Sequence, residues 1–409
     1  MTVCGDIESK FTKNTDFVSN FIKLFVATSI NKVLPVNEEL YDIESKINKC
    51  NTAFTDNDDD DVSTLALTSN PSSFSSNESA EEYFKPAEYN FDVNKFEKIS
   101  ILGSGSFGTV FLSYYDKQLY AIKSIHKSKI DDNEVSHIMS EKEILMEMNS
   151  PYVLKLYGTC QTKNELWFIT EALENGDLYQ AIYDGEKLSH ESCVFYGAGI
   201  IMGINYIHSK NIAYRDLKPE NIMISENGYP KIIDFGLSKK TSNNNKCTTL
   251  CGTPEYASPE IILNNGHDNK VDIWAFGVVL YEMICRTTPF YNKKTDFTQL
   301  FTNIIYCGKN GIDLPKKLDN KTDGTSNARN LISQLLSGDK EARLGYNNIP
   351  EVLLKHPYFL STTMNKADLI EQTFIPPIFQ PTYIGRDINT LRTYDEYSGD
   401  QELFKDFCT

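Results

Sequence analysis

Positive charge is in short supply in this chain. Its 409 residues carry 40 Lys and Arg against 56 Asp and Glu, a formal net charge of −16 at pH 7. Nucleic-acid phosphates need a basic surface, so this charge argues against nucleic acid as a partner. Long apolar runs are missing too. One candidate, residues 21–30, is broken by Lys23 and falls short of the roughly 20 residues that cross a bilayer. No C-x-x-C pair occurs among the nine cysteines, which suggests reduced thiols inside a cell. Met1-Thr2-Val3-Cys4-Gly5-Asp6 lacks a basic region leading into an apolar one, and Thr2 stands where myristoylation needs glycine. Cys408, next to last, makes no prenylation box. The expectation is a cytoplasmic protein with no transmembrane segment. No internal repeat is visible.

What is present divides unevenly. Much of the negative charge lies before residue 96, where Asn57-Asp58-Asp59-Asp60-Asp61 and the Ser/Asn-rich residues 69–79 read as a disordered linker. Ahead of it, Phe17, Phe21, Leu24 and Phe25 share one helical face. That face could dock on the chain's own surface, or meet a partner or a membrane surface. The remainder, in a chain 40% hydrophobic and 12% aromatic, suffices for one large core.

The densest chemistry sits in Tyr214-Arg215-Asp216-Leu217-Lys218-Pro219-Glu220-Asn221, followed a short strand later by Asp234-Phe235-Gly236. Phosphoryl transfer needs an acceptor for a hydroxyl proton (Asp216), a cation near the phosphate (Lys218) and oxygen ligands for Mg²⁺ (Asn221, Asp234). Upstream, Gly103-Ser104-Gly105-Ser106-Phe107-Gly108 lies between Ile101-Leu102 and Thr109-Val110-Phe111-Leu112. A G-x-G-x-x-G run alone is weak evidence, since dinucleotide folds carry it. Here β-branched and aromatic residues follow it, so a strand continues where a dinucleotide site would need a helix. After an Asp116-Lys117 turn comes Leu119-Tyr120-Ala121-Ile122-Lys123. The pattern is a hairpin whose glycines let backbone N–H groups close over phosphates, with Lys123 placed to pair with them. A helix with apolar Ile138, Ile144, Leu145 and Met148 follows and offers Glu141, or alternatively Glu143, as partner for Lys123. The other acid, and Lys142, would then belong to a solvated face.

These motifs, in this order, resemble the protein kinases. The fold implied is α+β and bilobal: a five-stranded antiparallel lobe with one helix over a mostly helical lobe. The resemblance divides the chain into an extension (1–90), a kinase domain (96–359, lobes 96–171 and 176–359) and a tail (360–409). It is dense over residues 91–359, loose over 374–409, and silent on residues 1–85. Lys218 is the serine/threonine signature, and Tyr214 replaces the commoner His. Thr248-Thr249-Leu250-Cys251-Gly252-Thr253-Pro254-Glu255-Tyr256 is similar to the activation segment of the AGC group. Ile261-Ile262-Leu263-Asn264-Asn265-Gly266-His267-Asp268 and Asp313-Leu314-Pro315-Lys316-Lys317 resemble its cyclic-nucleotide-dependent branch, with the cGMP-dependent enzymes slightly nearer than the cAMP-dependent ones.

The resemblance implies ATP and Mg²⁺ as cofactors. ATP would lie under Leu102 to Val110, against Ala121 and above Met223, with Thr170 as gatekeeper and the hinge at Glu171-Ala172-Leu173. Asp216 would be the base, assisted by Lys218 and Thr253. Thr249 would carry an activating phosphate held by Arg215, Lys239 and His137, placed by the chain itself or an upstream kinase. Asp177, Glu220 and Glu282 would read basic residues upstream of the target in a protein substrate, with Leu250, Pro254 and Ala257 lining the peptide site. Glu260 would pair with a buried Arg343, and Asp272 would tie down the catalytic loop. The first 90 residues hold no cyclic-nucleotide-binding domain, so such sensing would need a separate regulatory subunit. A pseudokinase scaffold would lack Lys123, Asp216, Asn221 or Asp234. A small-molecule kinase would lack Gly252-Thr253-Pro254-Glu255.

The tail resembles that of AGC kinases in Pro376-Pro377-Ile378-Phe379-Gln380-Pro381, Tyr394-Asp395-Glu396-Tyr397 and Phe404-Lys405-Asp406-Phe407. Only residues 398–403 separate the last two, an extended reach of roughly 20–25 Å. That is shorter than in relatives, so simultaneous docking of both is in question.

Overall fold

The computed structural model describes residues 91–105, 108–241, 246–291, 296–312, 314–315, 325–345, 349–361, 366–374 and 396–408. The amino-terminal extension, Ser106, Phe107, Pro376 to Asp395, and Asp313 with Lys316 and Lys317 lie outside this set.

Among the described residues, a five-stranded antiparallel sheet forms the first lobe: β1 (Glu97–Gly105), β2 (Gly108–Tyr115), β3 (Gln118–His126), β4 (Leu156–Gln161) and β5 (Glu165–Glu171), in the order β1-β2-β3-β5-β4. The β2–β3 hairpin turns on Asp116 and Lys117, both at positive φ (44° and 65°). That conformation lets a two-residue loop follow the strands' twist. Helix α1 (Asp132–Met146) crosses beside the sheet, burying Ile138, Ile144 and Leu145.

The second lobe is mainly helical. It contains α2 (Leu178–Tyr183), α3 (His190–Ser209), α4 (Pro259–Ile262), α5 (Val271–Cys285), α6 (Phe297–Asn310), α7 (Thr325–Leu335), α8 (Ile349–Leu353) and α9 (Lys366–Glu371). Between α3 and α4 run the short strands β6 (Ile212–Ala213), β7 (Ile222–Ile224), β8 (Pro230–Ile232) and β9 (Lys239–Lys240), paired β6–β9 and β7–β8. Ser189 begins α3 by accepting from the Ser192 amide, and Asp177 begins α2 by accepting from that of Gln180. Every residue of α5 is buried, so the helix forms the lobe's axis and carries Asp272 and Glu282 into the interior. This is the bilobal α+β architecture expected.

The carboxyl-terminal segment returns to the small lobe. Phe404 and Phe407 are buried, and the Phe407 ring packs edge-on against Phe168 at 5.2 Å. The short connection does not prevent joint docking. Asp400 caps a 3₁₀ turn over Gln401–Phe404, and the rings of Tyr397 and Phe404 lie only 6.1 Å apart. The reach needed is therefore much less than an extended chain would span.

Candidate active site

The small lobe contributes a charge held by packing. Cross-strand pairing aligns Lys123 with Val110 on β2 and Phe168 on β5. Lys123 Nζ donates to Glu141 Oε1 at 2.6 Å and lies 3.7 Å from Asp234 Oδ1. Burial works against the ammonium, but Glu141 and Asp234 outweigh it and hold the pKa of Lys123 above its ordinary value. Glu141 is buried on α1, whereas Glu143 faces solvent, which settles the choice between them. Lys142 departs from expectation. It is 6% exposed, and its Nζ donates to the Asp406 carbonyl at 2.6 Å, so the tail has taken it off the solvated face.

The glycine strand is shaped for a close approach. Gly108 has φ +152°, and a Cβ there would meet the Ser124 carbonyl oxygen at 2.2 Å. Leu102, Gly103, Gly105, Thr109, Val110 and Met223 are half-buried, Ser104 is exposed, and Ala121 and Leu173 are buried. Thr170 is buried, its hydroxyl donating to the Ala121 carbonyl at 3.3 Å. The Glu171 carboxylate accepts from Lys231 Nζ at 2.7 and 2.8 Å and from the Lys155 amide at 2.9 Å, bracing the segment between lobes.

The large lobe gathers the remaining chemistry around Asp216. Its Oδ2 accepts from Lys218 Nζ at 2.7 Å and from Asn221 Nδ2 at 2.9 Å, and its Oδ1 from Thr253 Oγ1 at 2.8 Å. Lys218 Nζ also reaches Thr253 Oγ1 at 2.8 Å. Burial disfavours the Lys218 charge, but Asp216 prevails and raises its pKa. Three residues separated in sequence thus hold one carboxylate. Gly252 (φ +93°) permits this closeness, because a Cβ there would meet the Arg215 carbonyl oxygen at 2.5 Å. Asp234, at φ 59°, points its carboxylate towards Lys123.

Beneath the loop, Asp272 accepts from the amides of Tyr214 (2.9 Å) and Arg215 (2.8 Å). His208 Nε2 is 2.8 Å from Asp272 Oδ2, a partner with no local sequence signal. Tyr214 replaces histidine without loss of anchorage: its hydroxyl donates to the Ile233 carbonyl, and its ring meets Phe235 edge-on at 5.3 Å. Glu260 and Arg343 form a two-bond pair, Oε1–Nη1 at 2.8 Å and Oε2–Nη2 at 3.0 Å. Although burial pushes the Glu260 carboxyl up, the Arg343 guanidinium holds it below its ordinary range.

The acids expected at the peptide face occupy different depths. Glu220 is exposed, and Asp177 is half-buried with Oδ1 accepting from the Gln180 amide at 2.8 Å. Glu282 is only 2% exposed; its oxygens accept from Tyr183 Oη and Tyr256 Oη, both at 2.6 Å. Burial pushes the Glu282 carboxyl up to about 7. Sequence reasoning missed both tyrosines. Pro254 and Ala257 are buried and Leu250 half-buried on the activation segment, where Thr249 is exposed. Arg215 Nε donates to the Leu237 carbonyl at 2.7 Å, while its Nη1 is buried without a partner. Lys239 and His137 are exposed, on β9 and α1.

Asn221 and Asp234 offer oxygen atoms, the ligand type a hard cation takes. Among the described residues no group of three or more His, Cys, Asp or Glu could hold a metal ion. Also among the described residues, no helix is long and apolar enough to cross a membrane.

Comparison with known proteins agrees with this geometry. The chain is 39% identical over 267 residues to a Drosophila melanogaster cGMP-dependent protein kinase, isozyme 2, covering 64% of this chain and 28% of that one. It is 36% identical over 314 residues to the Drosophila RAC serine/threonine-protein kinase, covering 75% and 49%. With human serine/threonine-protein kinase Sgk1 the identity is 34% over 322 residues, covering 78% and 69%. The chain thus spans about a quarter of the first relative's length and about half of the second's. A Protein kinase domain profile matches residues 96–359, the stretch that holds Lys123, Glu141, Asp216, Asn221 and Asp234. By that match and these relatives, the chain belongs to the protein kinase family.

Proposed function

We propose that this protein is an AGC-group kinase that transfers a phosphoryl group to serine or threonine in proteins with basic residues upstream of the target. The observation that carries this reading is the closed set Asp216–Lys218–Thr253–Asn221, facing the Lys123–Glu141 pair across the cleft. When bound, ATP supplies the phosphoryl group, and Mg²⁺ on Asn221 and Asp234 offsets its charge. Asp216 orients the acceptor hydroxyl and takes its proton on a carboxylate oxygen, which has lone pairs beyond those used by its three donors. Lys218 supplies a fixed cation beside that oxygen, and Thr253 ties the activation segment to it. Lys123 holds phosphate oxygens, and the glycine strand covers them. Retention of Lys123, Asp216, Asn221 and Asp234 argues against a scaffold without catalysis.

The test is ATP turnover on a basic peptide. Asp216→Asn should lower kcat by at least about a hundredfold, the low end of general-base assistance. Wild-type turnover in that variant would refute the assignment.

Three finer readings accompany it. Thr249 is the activating phosphosite, supported by its exposure and by the partnerless Arg215 Nη1, which suits a dianion. Lys239 and His137 would supply further charge, and an upstream kinase or the chain itself would add the phosphate. Full activity of Thr249→Ala would end this reading. The substrate acids are Glu220, Asp177 and Glu282, with Leu250, Pro254 and Ala257 lining the peptide path. The third places the kinase in cyclic-nucleotide signalling with a separate regulatory subunit. Similarity to cGMP-dependent relatives and the 261–268 and 313–317 segments support it, while the RAC and Sgk1 relatives favour an AGC kinase without that link. Activity that ignores cGMP and cAMP, alone and with a nucleotide-binding regulatory subunit, would remove it.

A further inference from the structure

Beside the catalytic loop, α2 presents an aromatic face that the catalytic roles leave unused. Tyr179 is 41% exposed, and its ring centroid lies 4.6 Å from that of Tyr183 at an interplanar angle of 42°. Tyr183 is fixed at both ends: its hydroxyl donates to Glu282 Oε1, and its carbonyl accepts from Arg286 Nη2, each at 2.6 Å. The second Glu282 oxygen is held by Tyr256. Tyr183 is therefore braced, and Tyr179 leans against it with much of its own side chain exposed.

Its surroundings are acidic. α2 packs against the turn Pro219–Asn221 that carries Glu220. Partial burial, then Glu220, Glu282, Asp184 and Asp177, raise the Tyr179 pKa above its ordinary value, so the phenol is neutral at physiological pH. A neutral phenol offers an electron-rich face, and carboxylates at its rim deepen the attraction for a cation. Meanwhile the acids themselves are poorly placed for two-pronged recognition. Both Glu282 oxygens accept from tyrosines, and Asp177 Oδ1 caps α2. Exposed Glu220 draws any cation and says little about its shape. A planar, weakly hydrated guanidinium stacks on such a ring, whereas a compact, strongly hydrated ammonium does so less well.

We propose that Tyr179, leaning at a tilt against Tyr183, is a specificity-determining residue that receives the guanidinium of an upstream substrate arginine face-on and so selects arginine over lysine. The inference rests on the proposed action on basic protein substrates and adds the residue that tells the two basic side chains apart.

The test uses the full chain, ATP and matched peptides bearing Arg, Lys or Ala at scanned positions before the target. kcat/KM is measured for wild type, Tyr179→Phe and Tyr179→Leu, with melting temperatures confirming that each is folded. The wild type should prefer Arg to Lys. Tyr179→Phe should keep that ratio, and Tyr179→Leu should lower it about three- to tenfold, mainly through KM. An unchanged ratio in Tyr179→Leu would overturn the inference and leave the basic-substrate reading standing. Loss of the ratio in Tyr179→Phe would overturn it by assigning selection to the hydroxyl. A wild type indifferent to Arg against Ala would instead refute the basic-substrate reading, and this inference with it.

Discussion

The two lobes satisfy their buried charges differently. In the large lobe, Glu260 meets Arg343, Asp272 meets His208 and the amides of Tyr214 and Arg215, and Glu282 meets Tyr183 and Tyr256, all within that lobe. The small lobe borrows. Buried Lys127 donates to Gln161 Oε1 at 2.8 Å and Thr162 O at 2.9 Å, and also to Gln401 Oε1 at 2.6 Å on the returning tail. Lys142, next to Glu141, is completed by the Asp406 carbonyl. The Phe407 carbonyl accepts from Thr159, and that of Phe404 accepts from Gln161 Nε2 at 3.0 Å. Burial lowers the pKa of both lysines, so each ammonium depends on its acceptors. The buried acids of the large lobe find their partners within it, whereas Lys127 and Lys142 of the small lobe take acceptors from the returning tail.

That contrast can be broken most forcefully in the large lobe. Arg343→Ala leaves a buried Glu260 carboxylate unpaired and should cost about 3–5 kcal/mol of stability. Thermal unfolding monitored for both lobes should show the loss whether or not the tail is docked.

The tail should matter next. Phe404→Ala with Phe407→Ala removes apolar burial worth roughly 3–6 kcal/mol gross, less the entropy of ordering the segment. Both melting temperature and kcat should fall, since the helix carrying Glu141 loses its support. Unchanged values for both would show that the small lobe stands without its tail.

A subtler lesion is Lys142→Met, which keeps the apolar stem and leaves the Asp406 carbonyl without its donor. About 1–3 kcal/mol should be lost. A phosphoryl-transfer assay should show kcat falling more than KM for peptide rises, because the change acts through Glu141 and Lys123.

The smallest effect expected concerns pH. Burial pushes Glu282 up to about 7, so its carboxyl is protonated below that value and charged above it. Charge on Glu282 attracts a cation, so the preference for an arginine peptide over its alanine counterpart should rise a few-fold from pH 6 to pH 8. Glu282→Gln should flatten that rise. For stability the sign is opposite. Between the ordinary glutamate range and about 7, the folded protein binds a proton that the unfolded chain does not. This group's contribution therefore falls as pH rises through that window.

Much of this molecule is legible from local pattern. The glycine hairpin, the Asp116-Lys117 turn and the strand ending in Lys123 follow from residue types that prefer those conformations over a few positions. The run from Tyr214 to Asn221 is legible because it sets a carboxylate, a cation and oxygen donors, the groups phosphoryl transfer calls for, close together. Less legible are partners far apart in the chain. Nothing near His208 marks it for Asp272, and nothing near Tyr183 or Tyr256 marks them for Glu282. Glu141 and Glu143 carry the same chemistry two residues apart, and only the packing of α1 against the sheet separates them.

By itself, the sequence determined the kinase architecture, the grouping of Asp216 with Lys218 and Asn221, and the strand that ends in Lys123. Asp216, Lys218 and Asn221 lie within five residues of one another, and the architecture is read from the order in which short motifs follow along the chain. Tertiary structure alone decided that Lys142 is buried under the tail, that a six-residue connection (398–403) lets Tyr397 and Phe404 dock together, and that Glu282 lies beneath two phenols. Burial and hydrogen-bond completion depend on which surfaces meet across hundreds of residues. A lysine or glutamate reads the same in sequence whether water or another segment covers it.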